Sequence, residues 1–154
     1  MKKQITYAVL LATAMAFVSC EKTPGCMNPN ADNYNAAADK DNGTCILSRE
    51  KFIGNYQTTG TYSSLPGGGG SVGTGILSIS ISSTGDNMVY IQHNGYGYVG
   101  TAIKSQITIA NQLVNGVTVS GTIVLTAAKK VEATLTYRNN STSYISYTLQ
   151  GTKQ

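Results

Sequence analysis

The chain has 154 residues, of which 12% are charged and none is tryptophan. This length allows one ordinary domain plus short appendages, and the low charged content excludes a helical bundle, which needs more Leu, Glu and Lys. The net charge is +4, but after Cys45 only Lys129 and Lys130 are adjacent basic residues. Because a nucleic-acid surface needs a clustered basic stripe, no nucleic-acid partner is expected. The composition favours an extracytoplasmic β-protein.

The first 19 residues are predicted to be a signal peptide. Lys2 and Lys3 form a basic start, and an apolar stretch follows over residues 5–18. That stretch has the length of a signal peptide and is short for a membrane span. A lipoprotein signal, an ordinary cleaved signal and a retained anchor are the three interpretations open at this point.

The end of this segment, Ser19-Cys20, resembles a bacterial lipoprotein signal. In that family the cysteine receives a diacylglyceryl thioether and becomes the first residue after cleavage. The resemblance implies that Cys20 carries a lipid and that acyl chains hold the mature protein in a membrane. It also implies a location in the bacterial cell envelope, with the outer membrane as the expected site.

Two further cysteines, Cys26 and Cys45, form an even pair. An exported chain enters an oxidising compartment, where such a pair indicates a disulfide. The bracketed stretch, residues 25–45, resembles a short repeat of Bacteroidota surface and secreted proteins with the pattern G-C-x-[DN]-P-x-A-x-N-Y-[DN]-x-x-A-x-x-[DN]-[DN]-G-[ST]-C. That family has no settled activity, and the resemblance implies a spacer-like module. The module is predicted to lie within residues 20–51, together with the lipidated N-terminus and a linker.

The same stretch raises the question of a weak calcium site. Asp39, Asp41 and Gly43 form a D-x-D-x-G run, and Asp32 lies nearby in the sequence. Calcium prefers six to eight oxygen ligands, several of them charged. A Ca²⁺ site at Asp32, Asp39 and Asp41 and a purely structural role in turns both stay open, and no other cofactor is expected.

Residues 52–154 are predicted to form an antiparallel β-domain. Apolar and polar residues alternate in stretches such as ILSISIS and VEATLTYR, as in strands with one buried face, and turn pairs such as Asn94-Gly95 and Asn115-Gly116 separate them. We predict an all-β fold of seven to eight strands, a meander that closes into a small barrel or packs as a two-sheet sandwich. Gly54 two residues before Tyr56 is similar to the opening strand of lipocalin-like domains, a resemblance of one strand that implies no ligand.

Three features of this domain are candidate functional sites. The stretch LPGGGGSVGTG lacks the Lys of a phosphate-binding loop and is predicted to be a mobile hairpin loop. His93 is the only histidine, and Asp86 and Glu132, the only acids of the strand region, stand in no recognisable catalytic motif, so a turn position and no enzymatic activity are predicted. Tyr90, Tyr96 and Tyr98 are candidate ligand-binding residues that stack on a sugar or apolar ligand, or else residues that pack one end of the domain.

Two functions of different class follow. The first is a membrane-anchored binding or interaction module with a protein or glycan partner. The second is a structural or accessory subunit of an envelope complex with no small-molecule ligand. An aromatic-lined mouth in the β-domain would favour the first, and a flat apolar outer patch would favour the second.

Overall fold

The computed structural model describes residues 21–154, which form ten strands and one 3-10 helix. No helix in this range is both long enough and apolar enough to cross a membrane. The elements in chain order are β1 Pro24–Gly25, β2 Lys40–Asp41, the 3-10 helix Ser48–Lys51, β3 Gly54–Leu65, β4 Gly69–Ile81, β5 Met88–His93, β6 Tyr96–Ile103, β7 Gln106–Val114, β8 Val117–Ala127, β9 Lys130–Arg138 and β10 Tyr144–Lys153.

Strands β3 to β10 form a closed antiparallel barrel in which each strand pairs with the next and β10 pairs with β3. This confirms the prediction of an all-β fold and, of the two architectures left open, shows the barrel. The first barrel strand begins at Gly54, just after the predicted boundary at residue 52.

The alternating sequence pattern fills the barrel. In β4, Leu77 and Ile79 are buried, Ser78 between them is half-buried and Ser80 is exposed, and the alternation ends at Ile81, which is exposed at the end of the strand. The same alternation in the other strands directs Val, Ile, Leu and Tyr side chains into one continuous core. In the β5–β6 and β7–β8 hairpins, Asn94-Gly95 and Asn115-Gly116 adopt positive φ angles of 53° and 80°, and of 50° and 81°, as tight turns between twisted strands require.

The glycine-rich stretch differs from its prediction as a mobile loop. β4 extends back to Gly69, and Ser63 of β3 pairs with Gly69. Neighbouring β10 pairs with β3 as far as Leu65, so a three-stranded ribbon orders most of the stretch. Only residues 66–68 lie between the two strands.

Residues 21–51 pack against one end of the barrel, which we call the closed end. It contains the β4–β5, β6–β7 and β8–β9 connections. The disulfide Cys26–Cys45, predicted from the sequence, links the two ends of the Cys-bracketed module, and β1 pairs with β2 inside this segment.

Polar contacts join this segment to the closed end. Arg49 donates from Nη1 to Gly85 O at 2.8 Å, and Asn87 donates from Nδ2 to Asn30 O at 2.6 Å. The Lys104 amide donates to Ser48 Oγ at 2.8 Å. Because these bonds come from separate parts of residues 21–51, the segment is docked on the barrel and is not a free linker.

Phe52 completes the seal of the closed end. Its side chain is fully buried in the barrel core. Its carbonyl accepts a hydrogen bond from Tyr56 Oη at 2.9 Å. Tyr56, the first inward side chain of β3, therefore fixes the position of the Phe52 backbone just before the strand begins.

Candidate functional site

The opposite end of the barrel, which we call the open end, carries a cluster of aromatic side chains around Tyr137 of β9. The Tyr137 ring lies 5.2 Å from Tyr96, 6.3 Å from Tyr98 and 5.6 Å from Tyr147, measured between ring centroids. His93 lies 5.4 Å from Tyr147 by the same measure. All five side chains come from inward positions near the β5–β6 turn and the β9–β10 loop, so strand alternation and register bring them together.

A chain of hydrogen bonds runs through this cluster. His93 Nδ1 lies 2.8 Å from Tyr137 Oη, which lies 3.0 Å from Tyr98 Oη. If His93 donated at Nδ1, the Tyr98 hydrogen at the far end would have no acceptor among residues 21–154. With Tyr98 donating to Tyr137 and Tyr137 donating to His93, every hydrogen in the chain is used, so we assign the proton of His93 to Nε2.

Burial keeps these groups uncharged. Burial lowers the pKa of His93 below its usual 6.5, because the charged imidazolium is poorly solvated inside the barrel. Burial also raises the pKa of Tyr98 to about 12, although its hydrogen bond with Tyr137 lowers that pKa in part, and burial raises the pKa of Tyr137. At neutral pH the cluster is therefore polar but without charge.

A cleft of about 510 Å³ opens beside the cluster, within the range of ligand-binding sites in proteins. Tyr62, Tyr147 and Ile145 line its walls together with the turn residues His93 and Asn94. No Asp, Glu, Lys or Arg is among the residues that line it. The cleft thus combines aromatic surface with neutral hydrogen-bonding groups.

Thr58 of β3 lines the same cleft and carries a polar atom without a partner. The residue is 1% exposed, and its Oγ1 has no hydrogen-bond partner among residues 21–154. Gly75, also in the lining, has no side chain to cover it, since a Cβ there would lie 3.4 Å from Oγ1. A buried hydroxyl in this state costs about 1–3 kcal/mol, and a ligand hydroxyl or a water that reached it would remove that cost.

In the described part of the chain, two other buried side-chain polar atoms lack partners, and both lie at the closed end. They are Arg49 Nε, 3.7 Å from Glu50 Oε1, and Asn87 Oδ1. Each of these side chains makes another hydrogen bond, to Gly85 and to Asn30. Thr58 differs because its only side-chain polar atom is the one left unpaired.

A larger concavity, of about 630 Å³, lies on the outer surface of β3, β9 and β10. Gln57, Glu132 and Gln150 are among its lining residues, and all three are exposed. We give it less weight than the cleft, because exposed polar side chains are already hydrated and gain little from a ligand.

The three tyrosines that the sequence grouped lie in two places: Tyr98 is in the core, while Tyr90 and Tyr96 both line a further concavity of about 600 Å³ beside the β5–β6 turn. Tyr98 is 2% exposed and Tyr96 is half-buried, and both belong to the open-end cluster. Tyr90 lies on the outer face of β5, 38% exposed, with its hydroxyl over Gly97. None of the three is among the residues that line the cleft, although His93 and Asn94 line both the cleft and the concavity beside Tyr90.

Three residues of the site were not predicted from the sequence: Tyr62, Tyr147 and Thr58. His93 was predicted at a turn, and its inward position was missed. The signal was present in part, because Tyr147 alternates in phase with the buried Leu149. What the sequence did not contain was the register that sets Tyr147 opposite Tyr62.

The acidic residues considered for calcium lie in residues 21–51. Asp32 accepts from Lys51 Nζ at 2.6 Å and from Ser48 Oγ at 2.7 Å. Burial raises the pKa of Asp32, but the hydrogen bonds of Lys51 and Ser48 outweigh it and leave that pKa lowered. Within residues 21–154, no three His, Cys, Asp or Glu side chains are placed to hold a metal ion.

Asp41 is engaged in a local turn, where it accepts from the Gly43 amide at 3.1 Å. Calcium binding at Asp32, Asp39 and Asp41 would require Asp32 to leave Lys51, and it stays a prediction. Cys20, the predicted lipid attachment site, lies outside the described residues.

Comparison with protein-family models, with curated proteins and with solved structures found no match to this chain.

Proposed function

We propose that the chain is a lipid-anchored protein of the bacterial envelope whose barrel binds a small ligand at its open end. The observation that carries this proposal is the cleft beside His93 and Tyr147, with the unpaired hydroxyl of Thr58 in its lining. Concave sites with aromatic walls and a few polar groups are the usual form of ligand-binding sites.

We propose binding without turnover. His93 is held by Tyr137 at 2.8 Å, and no carboxylate is among the residues lining the cleft. Hydrolytic catalysis of the triad type needs a nucleophile and an oriented base in contact with each other. Hydrogen bonding and stacking are what the groups of the cleft offer.

The segment that follows the predicted anchor and the cleft lie at opposite ends of the barrel. Cys20 directly precedes residues 21–51, which pack on the closed end. A barrel strand such as β9 has 9 residues and is about 30 Å long at about 3.3 Å per residue, and the two ends are somewhat closer than this because barrel strands tilt against the axis. In this proposal the docked segment holds the open end away from the membrane surface.

A soluble chain of residues 21–154 tests the proposal, because it contains the barrel, the docked segment and the contacts between them. Neutral sugars, acidic sugars and fatty acids are screened by the shift in thermal unfolding temperature. At least one class is expected to stabilise the protein, and Tyr147→Ala is expected to abolish that shift. Tyr90→Ala, on the outer face, is the matched control and should leave it unchanged. A shift that survives Tyr147→Ala, or no shift in any class, would contradict the proposal.

One observation favours the alternative, an accessory subunit that pairs with another protein. β5 pairs with β4 only from Leu77 to Ile81, so the preceding residues 69–76 have no described partner on that side. This edge carries no charged residue and could accept a strand. Gly73→Lys adds a charge where a Cβ meets no atom within 4 Å. The alternative would be supported if the unsubstituted protein bound no ligand and co-purified with an envelope protein that the Gly73→Lys variant lost.

A further inference from the structure

Resting on the proposed function, we infer that the open-end cleft binds a neutral saccharide, such as the uncharged end of a glycan. The inference depends on three properties of the cleft: its lack of charge, its aromatic walls, and its mixture of hydrogen-bond donors and acceptors.

The lack of charge excludes an anionic or cationic ligand. The residues that line the cleft include no Asp, Glu, Lys or Arg. Arg138, the last residue of β9, has its guanidinium 5.5 Å from the centre of the Tyr144 ring, and neither residue lines the cleft. A charged ligand would lose water without gaining a counter-charge, which is costly.

The walls offer flat surface to a ring. Tyr62 and Tyr147 lie on paired positions of β3 and β10, with ring centroids 6.3 Å apart and an angle of 41° between the rings. Tyr62 is 37% exposed and Ile145 beside it 38%. The C–H face of a pyranose can pack on such a surface while its hydroxyl groups stay at the rim, as tyrosine itself combines an apolar body with a polar tip.

The polar groups are both donors and acceptors. His93 presents Nε2–H in the tautomer assigned above. Asn94 donates from Nδ2 to Tyr147 Oη at 3.2 Å, which leaves its carbonyl oxygen to accept and the Tyr147 hydroxyl to donate. Thr58 Oγ1 can do either.

A sugar hydroxyl is likewise both donor and acceptor, so a saccharide can pair these groups. A fatty acid chain would leave them buried and unpaired, which is unfavourable. The polar lining therefore favours a saccharide over a purely apolar ligand. The lack of charge favours a saccharide over a charged ligand.

The test is a titration of residues 21–154 with three matched probes. Residues 21–154 contain nine of the ten tyrosines and no tryptophan, so tyrosine emission gives a signal of binding without a label, and calorimetry gives the affinity. The probes are neutral methyl pyranosides with their short oligomers, the corresponding uronic acids, and palmitate. We expect a neutral saccharide to bind at least ten-fold more tightly than its uronic acid and than palmitate.

Variants make the result specific to the cleft. Tyr147→Ala is expected to weaken saccharide binding at least ten-fold, and Tyr90→Ala is expected to leave it unchanged. Tyr147→Phe keeps the ring, so it should fold even where Tyr147→Ala does not, and a loss of a few-fold is expected from the missing hydroxyl.

Each other outcome overturns a defined part. Tighter binding of palmitate or a uronic acid that still depends on Tyr147 would overturn the saccharide inference and leave the proposed function standing. Binding that does not depend on Tyr147, or no binding of any probe, would overturn both.

Discussion

The two ends of the barrel share one alternating core but differ in what covers it. At the closed end, residues 21–51 lie over the core and bind the hairpin connections through Arg49, Ser48 and Lys51. At the open end, the core surfaces as tyrosines and one histidine beside a cleft without charged lining residues. Charged contacts therefore serve attachment at one end, and neutral aromatic groups are left available at the other.

This difference also concerns which polar groups lie inside the barrel itself. A barrel built for stability alone would place aliphatic side chains at positions 58, 93 and 137, since buried polar groups gain nothing over well-packed apolar ones. The open end instead buries Thr58 without a partner and keeps a hydrogen-bonded His93. Departures of this kind are expected at functional sites.

The largest expected effect is at the closed end. Phe52→Ala removes a fully buried ring and should lower the free energy of unfolding by about 3–5 kcal/mol, from lost burial and the cavity left behind. Urea unfolding of residues 21–154 measures it. A loss below about 1 kcal/mol would show that Phe52 does not seal this end.

Removing the disulfide tests whether the docked segment and the barrel unfold independently. Cys26→Ser combined with Cys45→Ser opens a loop with a sequence separation of 19 and should cost residues 26–45 about 3 kcal/mol. Hydrogen exchange is expected to speed up in that segment, while barrel strands such as β9 keep their protection. Equal loss of protection in β9 would mean that the two regions fold as one unit.

Tyr137→Phe tests the open end by removing the middle hydroxyl of the hydrogen-bond chain. His93 Nδ1 and Tyr98 Oη would both lose their partner, at a cost of about 1–3 kcal/mol. Chemical unfolding measures it, with Tyr90→Phe on the outer face as the control. Equal stability of the two variants would show that the chain is not formed.

The lowered pKa of His93 predicts a pH dependence. Below its ordinary value of 6.5 the unfolded chain takes up a proton that the folded chain resists, so stability should be full above pH 6.5 and fall as the pH decreases from there. His93→Gln, which does not titrate, should remove this slope. The separate loss from Asp32, whose lowered pKa acts below 3.8, should persist. An unchanged slope between pH 6.5 and 5 in His93→Gln would assign it elsewhere.

The smallest effect is expected for the ion pair of the docked segment. Lys51→Met breaks the 2.6 Å contact with Asp32. The side chain of Lys51 is 36% exposed and that of Asp32 is 21% exposed. Because solvent screens such pairs, the loss should be about 0.2–1 kcal/mol. The pKa of Asp32 should rise, since Lys51 is a main cause of its lowering. An NMR titration that showed the same pKa in both proteins would contradict the ion pair.

The sequence predicted the fold because alternation and turns are local signals. The period-two pattern around Leu77 and Ile79 and the Asn94-Gly95 turn are both read from adjacent residues. The cleft was not predictable in the same way. Whether Tyr147 meets Tyr62, and whether Tyr90 faces in or out, depends on the register between strands and on where each strand starts.

The docked segment shows the same limit. The disulfide followed from counting cysteines, but the contacts of Asn30 with Asn87 and of Arg49 with Gly85 join positions 57 and 36 residues apart. No periodic pattern connects residues so far apart. The sequence therefore predicted a spacer where the structure has a cap on the barrel.

The central claim is that ligand binding belongs to the open end and spares the closed end. Amide NMR spectra of residues 21–154, recorded with increasing neutral saccharide, test it most directly. The account predicts shifts concentrated at Tyr62, His93, Asn94 and Tyr147, with Arg49 and Lys104 unmoved. Shifts centred on the closed end or on Tyr90, or spectra that do not change, would contradict it.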